Sequence, residues 1–353
     1  MYIHGGIHFE QPNFIDFSAN INPFGMPDAV REAAERGVQD AVYYPDTVCR
    51  ELRDAIGIQE KRSSDEIIVG NGAAELLFRI CQSVRPENAL IIAPSFQEYE
   101  QALKSVSCIC HYYDLPEAED FHVEVEELVG RLPGMELLFL CNPNNPTGEL
   151  LSGEKICHIL DACVEYGVRC VLDECFLEFC EGESMVPYLG KYENLFIIKA
   201  FTKLYAMPGL RLGYGLTADR KLLHKMNLAG QPWSVSVPAQ YAGVAALQER
   251  EYVKRSIAYI SNEREYLLSE MRQHMLCKRI FDSRANYIFF RAEETLGAYL
   301  YERGYAIRDC SNYRNLQKGY YRIAVRLHEE NMALLQEWKE YKKHYSKEKI
   351  ETK

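Results

Sequence analysis

Five short, almost uninterrupted apolar runs recur between residues 67 and 198, each stopped by a cluster of turn-forming or polar residues. Ile67-Ile-Val69 leads through Gly70-Asn-Gly72 into the helical stretch Ala73 to Cys81. Ala89-Leu-Ile-Ile-Ala93 stops at Pro94, and Leu137-Leu-Phe-Leu-Cys141 stops at Asn142-Pro-Asn-Asn145-Pro-Thr-Gly148. Val168-Arg-Cys-Val-Leu172 stops at Asp173-Glu174, and Leu195-Phe-Ile-Ile198 enters Lys199-Ala-Phe-Thr-Lys203. Strands this apolar must be covered on both faces, and the helical stretches between them supply the cover. The pattern predicts an α/β fold with a mostly parallel central sheet. Ligands of such sheets gather beyond the carboxyl ends of the strands, which is where every unusual cluster here falls.

The chain has 353 residues, enough for two domains. After about Gln240 the texture changes to long charged helical stretches, then Ala285-Asn-Tyr-Ile-Phe-Phe290, a helix, and Tyr320 to Arg326. We expect a large domain over 28–240. A smaller α+β domain is expected from 241–353, with 1–27 lying against it as an N-terminal arm. No apolar stretch is long enough for a membrane span, and there is no secretory leader pattern at the N-terminus. The net charge of -11 without a basic stripe argues against nucleic acid or anionic membranes as partners. The 12 cysteines are scattered without a CxxC pair, which reads as free thiols in a reducing cytoplasm and not as a metal site.

Lys203 follows a buried strand and precedes Arg211 by eight residues, with Pro208-Gly209 between them. An amine partly desolvated near another cation loses its proton more easily than at its ordinary pKa of about 10.4 and becomes a nucleophile. Taken alone, it is equally a surface lysine in a loop. Gly70-Asn-Gly72 joins a strand to a helix whose first N–H groups can hold a phosphate. Glu75 stands where a dinucleotide fingerprint wants a third glycine, and the next strand ends at Pro94-Ser-Phe96 instead of an acid, so a dinucleotide site is rejected. Phe96 either stacks on a planar ring or fills the core. Two prolines flanking Asn145 suit a need for a fixed amide. Asp173, ending a buried strand, needs a partner such as a protonated ring nitrogen, or else caps a helix.

Taken in order, these clusters resemble the fold-type-I pyridoxal-phosphate enzymes of the aminotransferase class I/II superfamily. The resemblance rests on Asn142-Pro-Asn-Asn145-Pro-Thr-Gly, Asp173-Glu174, and Thr202-Lys203 with Gly209-Leu-Arg211-Leu-Gly-Tyr214, and it covers nearly the whole chain. It implies pyridoxal 5'-phosphate as cofactor and Lys203 as its Schiff-base lysine. Asp173 is then the partner of the pyridine nitrogen, Asn145 of the ring hydroxyl, and Phe96 stacks on the ring. Ala73, Ala74, Thr202 and Arg211 would hold the phosphate, and Tyr44 would reach the cofactor of a second subunit, so a homodimer is expected. Two positions depart from many relatives: Phe176 replaces a tyrosine that bonds the ring oxygen, and Ala200 replaces a phosphate-anchoring hydroxyl.

His4-Gly-Gly6, Asp16 to Pro27, Leu204-Tyr-Ala-Met-Pro-Gly209, Arg308-Asp-Cys-Ser-Asn312 and Tyr321 to Arg326 are similar to the threonine-phosphate decarboxylases of cobalamin biosynthesis. That branch implies a small phosphorylated amino acid as substrate. Arg322 would fork its α-carboxylate, with Arg308, His4 and Asn20 as candidates for its phosphate. Arg326 either joins them or pairs with an acid on its own strand. The runner-up is an aminotransferase like those acting on histidinol phosphate. A non-catalytic sensor retaining the fold is the remote third reading, disfavoured by Lys203, Asp173 and the lack of an upstream helix-turn-helix segment.

Overall fold

The computed structural model describes residues 5, 6, 10–180 and 182–351, with side chains described up to residue 343. A two-residue strand β1 (Ile15–Asp16) precedes helices α1 (Asp28–Gln39) and α2 (Arg50–Glu60). The large sheet holds β2 (Ile67–Asn71), β3 (Asn88–Ala93), β4 (Ile109–Asp114), β5 (Leu137–Cys141), β6 (Arg169–Asp173), β7 (Leu195–Ala200) and β8 (Leu212–Leu216). Their order is β2-β8-β7-β6-β5-β3-β4. The pairs from β7 to β4 are parallel, and β8 runs antiparallel to both β7 and β2. The expected α/β fold with a mostly parallel sheet is what the chain adopts.

Alternation explains why the runs are apolar throughout. Along β5, Leu138 and Leu140 join the core on one face of the sheet, while Leu137, Phe139 and Cys141 join the core on the other. Along β6 and β7, Cys170, Leu172 and Ile197 face one way, and Val171 and Ile198 the other. Each fully buried side chain of this kind contributes about 1.5–3 kcal/mol. Asp173 ends β6 in register with Cys141, on the face it shares with Val171.

Strands β4 and β8 were not anticipated. Ile109 in β4 is exposed at the sheet edge, and Leu212-Gly-Tyr-Gly-Leu216 is diluted by glycine. Those glycines are contact points: a methyl group on Gly213 would lie 2.5 Å from the Ala73 nitrogen. Strand β8 thereby lets helix α3 (Gly72–Val84) start directly on the sheet.

A second, antiparallel sheet of four strands follows the order β12-β13-β10-β9, from β9 (Arg279–Ile280), β10 (Tyr287–Arg291), β12 (Arg308–Asp309) and β13 (Tyr320–Ala324). Strand β11 (Tyr305–Ala306) pairs in parallel with β1, and the Ala324 N–H donates to the Phe17 carbonyl at 2.8 Å. The segment after β1 is thus laid along the small sheet. Among the described residues no helix is long and apolar enough to cross a membrane. All twelve cysteines are unbridged.

Candidate active site

A cleft opens where β5, β6 and β7 end and α3 begins. Ala73, Ala74, Phe96, Asn145, Asp173, Thr202, Lys203 and Arg211 all line it, together with Phe176 and Ala200. The residues singled out for cofactor binding therefore converge, except Tyr44.

Helix α3 starts at Gly72, whose φ of +78° turns the chain so that the next N–H groups face the cleft. Glu75 accepts the Asn71 N–H, securing the first turn, and pairs with Arg79 at 2.8 Å. This is why Glu75 stands where a dinucleotide loop has glycine. The Arg211 guanidinium lies over Gly72, within 2.6 Å of where a Cβ would be, and is tethered by the Pro208 carbonyl at 2.8 Å. Helix-start N–H groups, a guanidinium and the Thr202 hydroxyl make a cup for a phosphate dianion.

Lys203 belongs to the single helical turn Phe201–Leu204, with its backbone carbonyl bonded by the Asn22 N–H at 3.1 Å. Its pKa is lowered from 10.5 to about 8, by burial first and by the Arg322 guanidinium next; Arg211 has a smaller effect. The sequence reading had named Arg211 as the neighbouring cation. The larger contribution comes from Arg322, placed there by a fold whose long-range packing single-chain spacing does not reveal. Replacing Arg322 by alanine is expected to move the Lys203 midpoint upward from about 8 toward 10.5. The pH dependence of pyridoxal-phosphate capture by cofactor-free protein checks this.

Asp173 is buried, accepting the Tyr99 hydroxyl at 2.6 Å and the Cys175 N–H at 2.9 Å. No described cation makes a salt bridge with it. A buried carboxylate without a cation requires one from a ligand, and a protonated pyridine nitrogen satisfies that need. Tyr99 was missed as a functional residue. It lies three residues after Phe96 on the same helix entry, with its ring stacked on Phe139 at 4.8 Å and 8°. That spacing from a cleft aromatic was the available signal.

Behind the cleft-lining Asn145, Arg322, buried on β13, donates to Asn145 Oδ1 and, at 2.9 Å, to the Ser18 carbonyl. Its Nε has no partner among the described residues, and neither has Asn20 Oδ1, also buried. Two unpartnered buried polar atoms beside a cleft mark room for a polar ligand. Arg308 is buried on β12 directly opposite Arg322, and it donates to Asn312 Oδ1 at 2.9 Å and stacks over Tyr313.

Arg326 is the correction. Its guanidinium forks onto Glu330 at 3.0 and 2.8 Å and donates to the Asp16 carbonyl at 3.1 Å. Its fork is thus taken by an acid of the protein, the second of the two outcomes expected for it. The acid it pairs with lies one helical turn on, in the helix His328–Glu351, and not on its own strand, because the chain turns into that helix immediately after β13. Arg326→Gln is expected to cost about 0.5–1 kcal/mol of stability and to leave substrate KM within about twofold, as thermal melting and steady-state kinetics would show. His4 lies outside the described residues. Tyr44 is 82% exposed and leans on Trp233, with ring centroids 4.9 Å apart, away from its own chain's cleft.

A phosphate cup, a buried anion awaiting a cation and an amine of lowered pKa meet on an α/β sheet in the arrangement of a pyridoxal-phosphate enzyme. A family model described as aminotransferase class I and II matches residues 12–337, and the chain belongs to that family, whose cofactor is pyridoxal 5'-phosphate. It is 34% identical over 325 residues to a threonine-phosphate decarboxylase of Salmonella typhimurium, covering 91% of this chain and 89% of that one. It is 31% identical to a histidinol-phosphate aminotransferase of Ruminiclostridium cellulolyticum, covering 93% and 92%. The crystal structure of the histidinol-phosphate aminotransferase of Clostridium acetobutylicum superposes with a TM-score of 0.88 at 31% identity, covering 93% of this chain and 99% of that one.

Proposed function

We propose that this enzyme decarboxylates O-phospho-L-threonine to (R)-1-aminopropan-2-yl phosphate in cobalamin biosynthesis. The observation that carries the reading is the cross-strand pair Arg308 and Arg322. Residues directly opposite in an antiparallel pair point to the same face, and like charges there repel. Both are buried, so a small substrate bearing two anionic groups relieves a cost that a neutral substrate leaves in place. Phosphothreonine carries a carboxylate and a phosphate on one short skeleton. The 34% identity to a threonine-phosphate decarboxylase across most of the chain supports the same substrate.

Pyridoxal phosphate, when bound, supplies an electron sink for a bond broken at the substrate's Cα. Lys203 would hold the cofactor through its amine and would move a proton at the substrate's Cα. Asp173, oriented by Tyr99 and the Cys175 N–H, holds a proton at the pyridine nitrogen. Arg322 orients the α-carboxylate. By fixing the carboxylate, Arg322 would decide which bond at Cα is presented for cleavage, the one to CO2 or the one to the proton. The phosphate is assigned to Arg308 and to the amide N–H of Asn20, with His4, outside the described residues, as the third candidate.

A second reading, transamination of histidinol phosphate, is favoured by relatives of nearly equal identity. Holoenzyme mixed with phosphothreonine is expected to release CO2 without a 2-oxo acid. Accumulation of pyridoxamine phosphate with a carbonyl product, and no CO2, overturns the proposal and supports transamination. We place the enzyme in the cytoplasm as a homodimer. The exposed aromatic surface of Tyr43, Tyr44 and Trp233 supports the pairing, and sedimentation equilibrium tests it.

A further inference from the structure

One side chain reaches from the small sheet into three parts of the site. Tyr287, at the start of β10, is completely buried. Its hydroxyl donates to the Asn144 carbonyl at 2.7 Å, one residue before the cleft amide Asn145. Its ring lies under the Arg322 guanidinium, 5.3 Å from Cζ to centroid. The same ring meets Phe176 edge-on at 5.2 Å and 85°, and the Lys203 amine sits over Phe176 at 5.8 Å.

The surrounding chain is built to hold that contact. The Tyr287 carbonyl accepts the Ser283 hydroxyl, and the Arg284 N–H donates to the Gly148 carbonyl at 3.0 Å. Gly148 has a φ of +80°, and a methyl group there would lie 2.0 Å from Ser283 Oγ, so the two segments dock without intervening space. The loop 142–148 of the large sheet therefore rests on residues 283–287 of the small one.

We propose that Tyr287 is a positioning residue of this active site. Its hydroxyl fixes the loop that presents Asn145, and its ring seats both Arg322 and the Phe176 wall beside Lys203. Any buried tyrosine hydroxyl needs an acceptor, but here the acceptor belongs to the loop that presents Asn145, and the ring also carries a cation on its face. A guanidinium over a desolvated ring gains electrostatic energy as well as a platform, and the hydroxyl bond is made where water cannot replace it.

The hydroxyl and the ring separate by substitution. Tyr287→Phe keeps the ring and frees the loop. The dissociation constant of pyridoxal phosphate from this variant is expected to rise about 3- to 10-fold, as for a lost buried hydrogen bond. The Lys203 midpoint, read from the pH dependence of cofactor capture, is expected to stay at the parent value. Tyr287→Leu removes the platform, so Arg322 leaves its seat. The midpoint should rise in the same direction as in Arg322→Ala, and combining the two changes should add little beyond Arg322→Ala alone.

A Phe variant that binds cofactor within twofold of the parent overturns the role of the hydroxyl. A Leu variant with a lowered Tm but the parental midpoint overturns the role of the ring and leaves Tyr287 as packing. If Tyr287→Leu does not fold, the unbranched Tyr287→Met takes its place under the same criterion.

Discussion

Lys203→Ala is expected to lower kcat by about 10⁴-fold or more, with no borohydride-trappable link to the cofactor. The size of the effect follows from two roles lost together, since no other described amine lines the cleft to act as nucleophile or to move a proton at Cα. The fold should not suffer. A lysine whose pKa falls from 10.5 to about 8 on folding binds fewer protons in the native than in the unfolded state between those values. Its contribution to stability therefore rises with pH across that window and is unfavourable throughout the range below it. At pH 7 the alanine variant of the cofactor-free protein should melt at or above the parent temperature. Single-turnover kinetics and calorimetry at pH 7 measure both. A variant that unfolds, or that retains more than about a hundredth of the activity, contradicts this account.

Asp173→Asn is expected to lower kcat by about 10²- to 10³-fold, the usual scale for removing one preorganised electrostatic group from a closed site. The amide oxygen can still accept the Cys175 N–H, so the strand end and the cleft keep their shape. What disappears is the negative charge that keeps a proton on a ring nitrogen. Cofactor affinity should fall much less than rate, because the phosphate cup at α3 is untouched. Measuring the dissociation constant beside kcat separates the two. Tyr99→Phe, which removes one hydrogen bond and leaves the charge, should cost only about tenfold. Equal losses in the two variants would mean that Asp173 acts through shape and not charge.

The parts of the site that could be read from the chain are those where backbone and function coincide locally. Asp173 ends a strand, and Asn145 and Lys203 lie in the segments just beyond one, so hydrophobic pattern placed all three at one edge of the sheet. Gly70-Asn-Gly72 hinted at the phosphate cup because glycines at a strand-to-helix turn leave the first N–H groups of the helix open to an anion. Strand β8 escaped notice because the glycines that let α3 close on it dilute its apolar pattern. Arg322 and Tyr287 are a different case. Their roles depend on docking between two sheets more than a hundred residues apart in sequence, and local spacing carries no trace of that. Arg326 was open between the site and an acid of its own strand, and the acid that holds it lies in the following helix, which local spacing does not place.

Arg322 ties Asn145 on the large sheet to Ser18 in the N-terminal segment through one guanidinium. A carboxylate arriving at that guanidinium competes for the same hydrogens, so Asn145 is released toward the ring hydroxyl as the substrate's acid group is accepted. Occupancy of one position therefore alters the grip on the other. Linkage makes the trade symmetrical: the factor by which a carboxylate changes cofactor affinity is the factor by which the cofactor changes carboxylate affinity. An amine without an acid group leaves Arg322 on Asn145, and such a compound is discriminated against before any bond at Cα is strained. The fork would then act as a proofreading contact, testing an incoming amine for an acid group.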